Sequence, residues 1–149
     1  MALSDEIISA SVLICENILQ EADGVLSAIR IVDLFRITRN PEVPLDKQSV
    51  PMRLLIQTNF RSSVMVGAHH IRLDLTRPDG TITPGPQEVE VIVSPPLVPT
   101  AYQGMAVGIQ AGVIPKQDGA HHWTVFFDGE ELGKAPFTLL DMKQGPVSQ

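Results

Sequence analysis

Four Asp-Gly pairs, Asp23-Gly24, Asp79-Gly80, Asp118-Gly119 and Asp128-Gly129, punctuate runs of apolar and β-branched residues along the chain. Both residue types tolerate the positive φ of tight hairpin turns, so this punctuation belongs to antiparallel sheets. It separates the run Ser11–Leu19 from Val25–Thr38, ends His69–Arg77 through Pro78, and precedes Ala120–Phe127. The last pair then starts a return through Leu132–Leu140.

Within these runs the apolar period is two, which sends alternate side chains to a core and to solvent. Ile71, Leu73 and Leu75 share one parity, and His70, Arg72, Asp74 and Thr76 the other. Trp123, Val125 and Phe127 alternate with His122, Thr124 and Phe126, and Val89, Val91 and Val93 alternate with Glu88, Glu90 and Ile92. Further strands are predicted over Met52–Phe60 and Met105–Ile114. The first segment reads as a strand. Its alternative is a helix opening at Ser4 and carried by Ile7, Ser11, Ile14 and Ile18. The Pro-rich stretches Asn40–Val50, Thr83–Pro86 and Ser94–Thr100 are expected to be surface connections.

Seven or eight such strands predict an all-β fold, a two-layer antiparallel β-sandwich with at most one short helix; a partly closed barrel is the alternative. With a single cysteine, likeness to immunoglobulin or C2 domains would be architectural only. The length, 149 residues, supports one core. We expect one domain over 1–142 and a flexible tail over 143–149.

Eleven Lys and Arg face 17 Asp and Glu, a net charge of -6, and the arginines stand singly along the chain. Nucleic acid is therefore not an expected partner. The acidic amino terminus does not read as an export signal, and no apolar run has the length of a membrane span. Cys15 lies in the apolar run Val12–Cys15, as a buried thiol does. These features predict a cytoplasmic protein with no membrane partner.

The runs Val12–Asn17 and Asp23–Ile31, Gly67-Ala68-His69-His70 leading to Pro78-Asp79-Gly80, and Asp118–Trp123 with Asp128-Gly129-Glu130 and Pro136–Leu139 carry a resemblance. Together they resemble a family of uncharacterised bacterial β-sandwich proteins of about this length, a domain of unknown function. The resemblance implies a bacterial β-sandwich and carries over no catalytic residue.

The chemistry-bearing residues are few. The histidines form two adjacent pairs, His69-His70 and His121-His122. Should their strands pair in register, His70 and His122 with Asp74 would offer ligands to a divalent metal. No zinc-type ligand spacing accompanies them, and ordinary strand histidines are the expected reading. Glu88 with Glu90 and Glu130 with Glu131 read as solvated edge and turn charges. Gly104, Gly108 and Gly112 read as turns or as strand positions that a neighbour approaches closely. No nucleophile elbow or phosphate-binding glycine loop occurs. Phe126, Ile92 and Leu140 break the polar-outside rule; a second layer covers them, or they form an interaction surface.

The expected function is accordingly that of a non-enzymatic protein-interaction or structural accessory module, working by self-association or within a larger assembly and using no cofactor. The alternative is a small-ligand or divalent-metal-binding β-sandwich.

Overall fold

The computed structural model describes residues 7–22, 25–61, 66–85, 88–96 and 102–142. They form ten strands: β1 (Ile7–Gln20), β2 (Leu26–Ile31), β3 (Leu34–Ile37), β4 (Val50–Arg61), β5 (Gly67–Thr76), β6 (Ile82–Pro84), β7 (Val89–Val93), β8 (Tyr102–Val113), β9 (Gly119–Phe127) and β10 (Glu130–Asp141). One sheet has the order β2-β1-β4-β8. The other runs β3-β10-β9-β5, and the far side of β5 is shared by β6 and β7. The chain is thus an all-β sandwich of two packed sheets. No helix of the described residues is long and apolar enough to cross a membrane.

Alternation builds the core. Met52, Leu54, Ile56 and Phe60 of β4 face Ile71, Leu73 and Leu75 of β5, Trp123, Val125 and Phe127 of β9, and Phe137 and Leu139 of β10. Burying each such side chain stabilises the fold by about 1.5–3 kcal/mol, which makes this seam the dominant favourable contribution.

The expected strand over the first segment is present: β1 pairs with β4 through Cys15 and with β2 from Cys15 to Gln20. Helical character among the described residues is confined to 3-10 turns such as Leu45–Lys47. Two expectations are corrected. Val25–Thr38 is not one run. Arg30 takes a left-handed φ of 52°, the chain turns at Val32 and Asp33, and β3 joins the opposite sheet. Backbone bonds Val32 N–H to Ile14 O and Thr138 N–H to Asp33 O fix that crossing. Finally, the sandwich is not wholly antiparallel, because β3 pairs parallel with β10.

The turn chemistry is visible at Asp128-Gly129, where φ values of 49° and 87° close the two-residue hairpin between β9 and β10. Gly80, at φ 86°, closes the turn after Arg77. Asp118-Gly119 is a strand entry instead: the Asp118 carboxylate binds Arg39 and the Asp141 N–H. Asp23-Gly24, the Ser4 position and the tail 143–149 lie outside the described residues. Proline falls where a donor is dispensable. Pro84 lies on the three-residue β6, and Pro136 precedes the stretch of β10 that β3 pairs.

Candidate functional site

The outer face of the second sheet carries most of the predicted site residues, and the register decides which of them meet. β5 and β9 are neighbours, but His122 lies opposite Thr76 and Asp74 opposite Thr124. His70 lies six residues up β5 from Thr76, about 20 Å away at a strand's rise. It pairs with Glu90 of β7 instead, Nε2 to Oε2 at 3.5 Å. Asp74 and His122 do share a shallow hollow of about 260 Å³ with Phe126, Glu131 and Lys134. The structure therefore brings together two of the three candidate ligands. Among the described residues, no three His, Cys, Asp or Glu side chains are grouped to hold a metal ion.

The other two histidines are built into the sandwich. His69 stacks on Phe127 with centroids 5.1 Å apart, and its Nδ1 lies 2.6 Å from the Asp128 carboxylate. The second carboxylate oxygen of Asp128 accepts the His70 backbone N–H. The turn after β9 is thereby fastened to β5. Burial raises the Asp128 pKa, but the bonds from His69 and the His70 N–H outweigh it and hold the carboxyl below its ordinary value. His121 is buried against Phe137, ring centroids 5.0 Å apart, and its Nδ1–H donates to the Gly119 carbonyl. Desolvation there pushes its pKa down.

Phe126, Ile92 and Leu140 do not form one patch. The Arg72 guanidinium covers the Phe126 ring, and the amino-terminal strand lies in the other sheet. Ile92 is 72% exposed, on the edge strand β7. Leu140 lies nine residues along β10 from the Glu131 that faces Phe126. Cys15 is buried, its thiol pushed up by desolvation, with Sγ 3.6 Å from the Arg53 carbonyl. A neutral thiol at that depth is a poor nucleophile.

The feature that most distinguishes this sandwich is the free edge of its first sheet. β8 pairs with β4 along all twelve of its residues, from Tyr102 to Val113, and has no strand on its other side among the described residues. It carries no charge, no proline and no register shift. The other edges are short or guarded. β2 carries Arg30 at its left-handed kink, β3 has four residues with Arg36, β6 ends in Pro84, and β7 carries Glu90. The half of β1 that β2 leaves open has a register shift at Ile7–Ser9 and comes against β10, where Val12 packs beside Gly133.

The glycines of β8 are strand positions approached by neighbours. Asn59 crowds Gly104, Ile18 lies against Gly108, and the Ser49 hydroxyl fills the space a side chain on Gly112 would need. Residue spacing in the sequence marked these glycines without showing that their strand ends a sheet. Strand order is set by long-range pairing, and only the lack of charge across Tyr102–Val113 was a readable signal.

No protein-family model matches the chain, and no curated protein sequence matches it. Among solved structures it is similar to a CARDB domain from Pyrococcus furiosus in complex with di-metal ions, at 12% identity and a TM-score of 0.45, covering 91% of this chain and 96% of that one. It is also similar to the alkylpurine DNA glycosylase AlkC of Pseudomonas fluorescens bound to DNA containing an abasic site analog. There the identity is 12% and the TM-score 0.39, over 86% of this chain and 30% of that one. The metal ions and the DNA are those proteins' own.

Proposed function

We propose that this chain is a non-enzymatic protein-interaction module that associates by strand addition at β8, with a second copy of itself as the occupant. The observation that supports this is the uncharged, proline-free strand β8, which has no strand on its outer side among the described residues. Sheet edges present unpaired N–H and C=O groups, and proteins commonly blunt them with charge, proline, bulges or brevity. Every other edge here uses one of those devices or is covered.

The choice of a second copy follows from charge. Two chains of net charge -6 repel one another, and an uncharged strand is where identical surfaces meet without like charges opposed. Antiparallel pairing of β8 with its symmetry mate is self-complementary, as a two-fold interface must be. Outward positions Gly104, Ala106 and Gly108 offer no bulk against it. The same reading carries forward the resemblance to the bacterial β-sandwich family and a cytoplasmic location.

The test is light scattering coupled to size exclusion over a concentration series. The expected mass is twice the 16.2 kDa of one chain. The double variant Ala106→Lys/Gln110→Lys, at exposed positions of β8, is expected to run as a folded monomer with unchanged circular dichroism. A wild-type protein that is monomeric at every concentration overturns the reading, as does a dimer that the two lysines leave intact.

A further inference from the structure

Beyond Cys15, β1 leaves its ladder with β4 and pairs with β2 alone. The hairpin so formed does not stay in the plane of its sheet. Arg53, on the outward parity of β4, donates from Nη1 to the Glu16 carbonyl at 2.9 Å. Ile18 lies over the outward side of Gly108, its Cδ1 2.9 Å from where a Cβ would stand. Because β4 separates β1 from β8, the hairpin arches across β4 and reaches the β8 edge from above. Between hairpin and edge lies a hollow of about 340 Å³ lined by Ile18, Leu26, Gly108 and Gln110, with Arg53 its one charged lining residue among those described.

Parity restricts how two β8 strands can meet there. Residues directly opposite in an antiparallel ladder share a face. Ile109, Ala111 and Val113 are buried and the even positions beside them exposed, so a two-fold pair that continues both layers sets even against even, with its axis at a residue. Tyr102 is the one aromatic among the even positions of β8, and it is exposed. An axis at Met105 sets it opposite Gly108, where Ile18 already stands, and an axis at Val107 sets it opposite Gly112, where the Ser49 hydroxyl does. An axis at Gly108 carries it past the end of the strand. An axis at Ala106 sets it opposite Gln110, beside the hollow and flanked on the diagonals by two glycines.

We infer that Tyr102 of a second copy docks in this hollow, with the two-fold axis at Ala106 and the stretch Tyr102–Gln110 of each strand paired. The inference rests on strand addition at β8 and fixes its register. Ile18 and Leu26 offer the ring an apolar wall, and Arg53 offers a cation to its face or to the phenol oxygen. By symmetry the contact is made twice.

The experiment is single-cysteine crosslinking of the full chain with oxidised glutathione, alongside light scattering at the same concentrations. Ala106→Cys, at an exposed position, stands opposite its own copy with Cβ atoms about 4.5–5.5 Å apart, close to disulfide reach. It is expected to link rapidly. Gly104→Cys lies about 13 Å along the strand from its copy and should link at least about tenfold more slowly, as should the wild type, whose one cysteine is buried. Tyr102→Ala is expected to weaken the dimer about tenfold, and Tyr102→Phe, which keeps the ring, to weaken it less. A dimer in which Ala106→Cys links no faster than Gly104→Cys overturns the register while association at β8 stands. So does an unchanged dissociation constant for Tyr102→Ala overturn the docking. A chain that is monomeric at every concentration overturns both this inference and the pairing on which it rests.

Discussion

Arg72 on β5 lays its guanidinium over the ring of Phe126 on the neighbouring strand β9, with Cζ 4.2 Å from the ring centroid. The pair sits directly across the ladder in register, so an outward aromatic is covered by a cation of its own sheet rather than by a second layer. Cation–π pairs at such exposed sites contribute about 0.5–1 kcal/mol. A double-mutant cycle with Arg72→Ala and Phe126→Leu, read by urea unfolding, is expected to give a coupling of that size. Phe126→Ser should lower stability by about 1–2 kcal/mol yet leave association through β8 intact. Loss of the dimer in Phe126→Ser would move the interaction surface to this face.

Much of the sandwich was legible because β4 and β5 alternate without interruption, each with one buried face, and β9 keeps Trp123, Val125 and Phe127 on the core parity. The crossing between sheets was not. Val32 and Asp33 carry no turn-forming glycine or proline, and the bend is held by backbone bonds to Ile14 and Thr138, far away in sequence. The three candidate ligands do not all meet for a related reason. Parity put His70, Asp74 and His122 on one face, as they are, but parity leaves open the register that separates His70 from His122 by six residues.

Asp128 ties the β9–β10 turn to β5 through two bonds, one to His69 and one to the His70 N–H. Asp128→Ala removes both, and at φ 49° it also adds strain that Asn tolerates better. The expected loss is about 1–2 kcal/mol for Asp128→Ala, a value that allows for solvent screening of this partly exposed carboxylate. Asp128→Asn is expected to lose less. Equal losses in urea unfolding would assign the effect to the hydrogen-bonding geometry of the charged group alone.

Gly85 packs where no side chain fits. A Cβ there would lie 2.9 Å from the Leu73 carbonyl oxygen and 3.1 Å from Trp123, and the Gly85 N–H donates to that same carbonyl. Backbone pinned by a hydrogen bond cannot retreat cheaply, so Gly85→Ala is expected to cost about 1–3 kcal/mol. Gly108→Ala makes the comparison. Its Cβ meets only the end of the Ile18 side chain, which can rotate away, and its loss should be clearly smaller. The reverse order of midpoints in denaturant would refute this packing account.

Arg39 anchors the loop after β3, its guanidinium binding Asp118 at 2.7 Å and Asp141 at 2.9 Å. Asp141 is the buried partner, its side chain 2% exposed. Arg39→Ala removes the cation paired with that buried carboxylate and is expected to cost about 3 kcal/mol, whereas Asp118→Ala, on the solvent side, leaves the buried pair in place and should cost less. Comparable losses for the two variants would show that Asp141 is held by its other contacts.

Acid should unfold the protein in two stages. His121 has its pKa lowered, chiefly by burial, from 6.5, so the unfolded chain takes up a proton that the folded one resists. Stability from this group is full above 6.5 and falls as pH drops below it. Asp118 is held below 3.8, first by the Asp141 N–H and then by Arg39, and Asp128 is depressed as well. Carboxylates lowered in the fold stabilise it above their unfolded values, and that contribution is lost as pH falls from 3.8 through the folded pKa. His121→Phe keeps a ring stacked on Phe137 and removes the first titration. Urea midpoints measured across both windows are expected to fall twice for the wild type and only in the lower window for His121→Phe. Superimposable profiles would mean that His121 titrates alike in the folded and unfolded states.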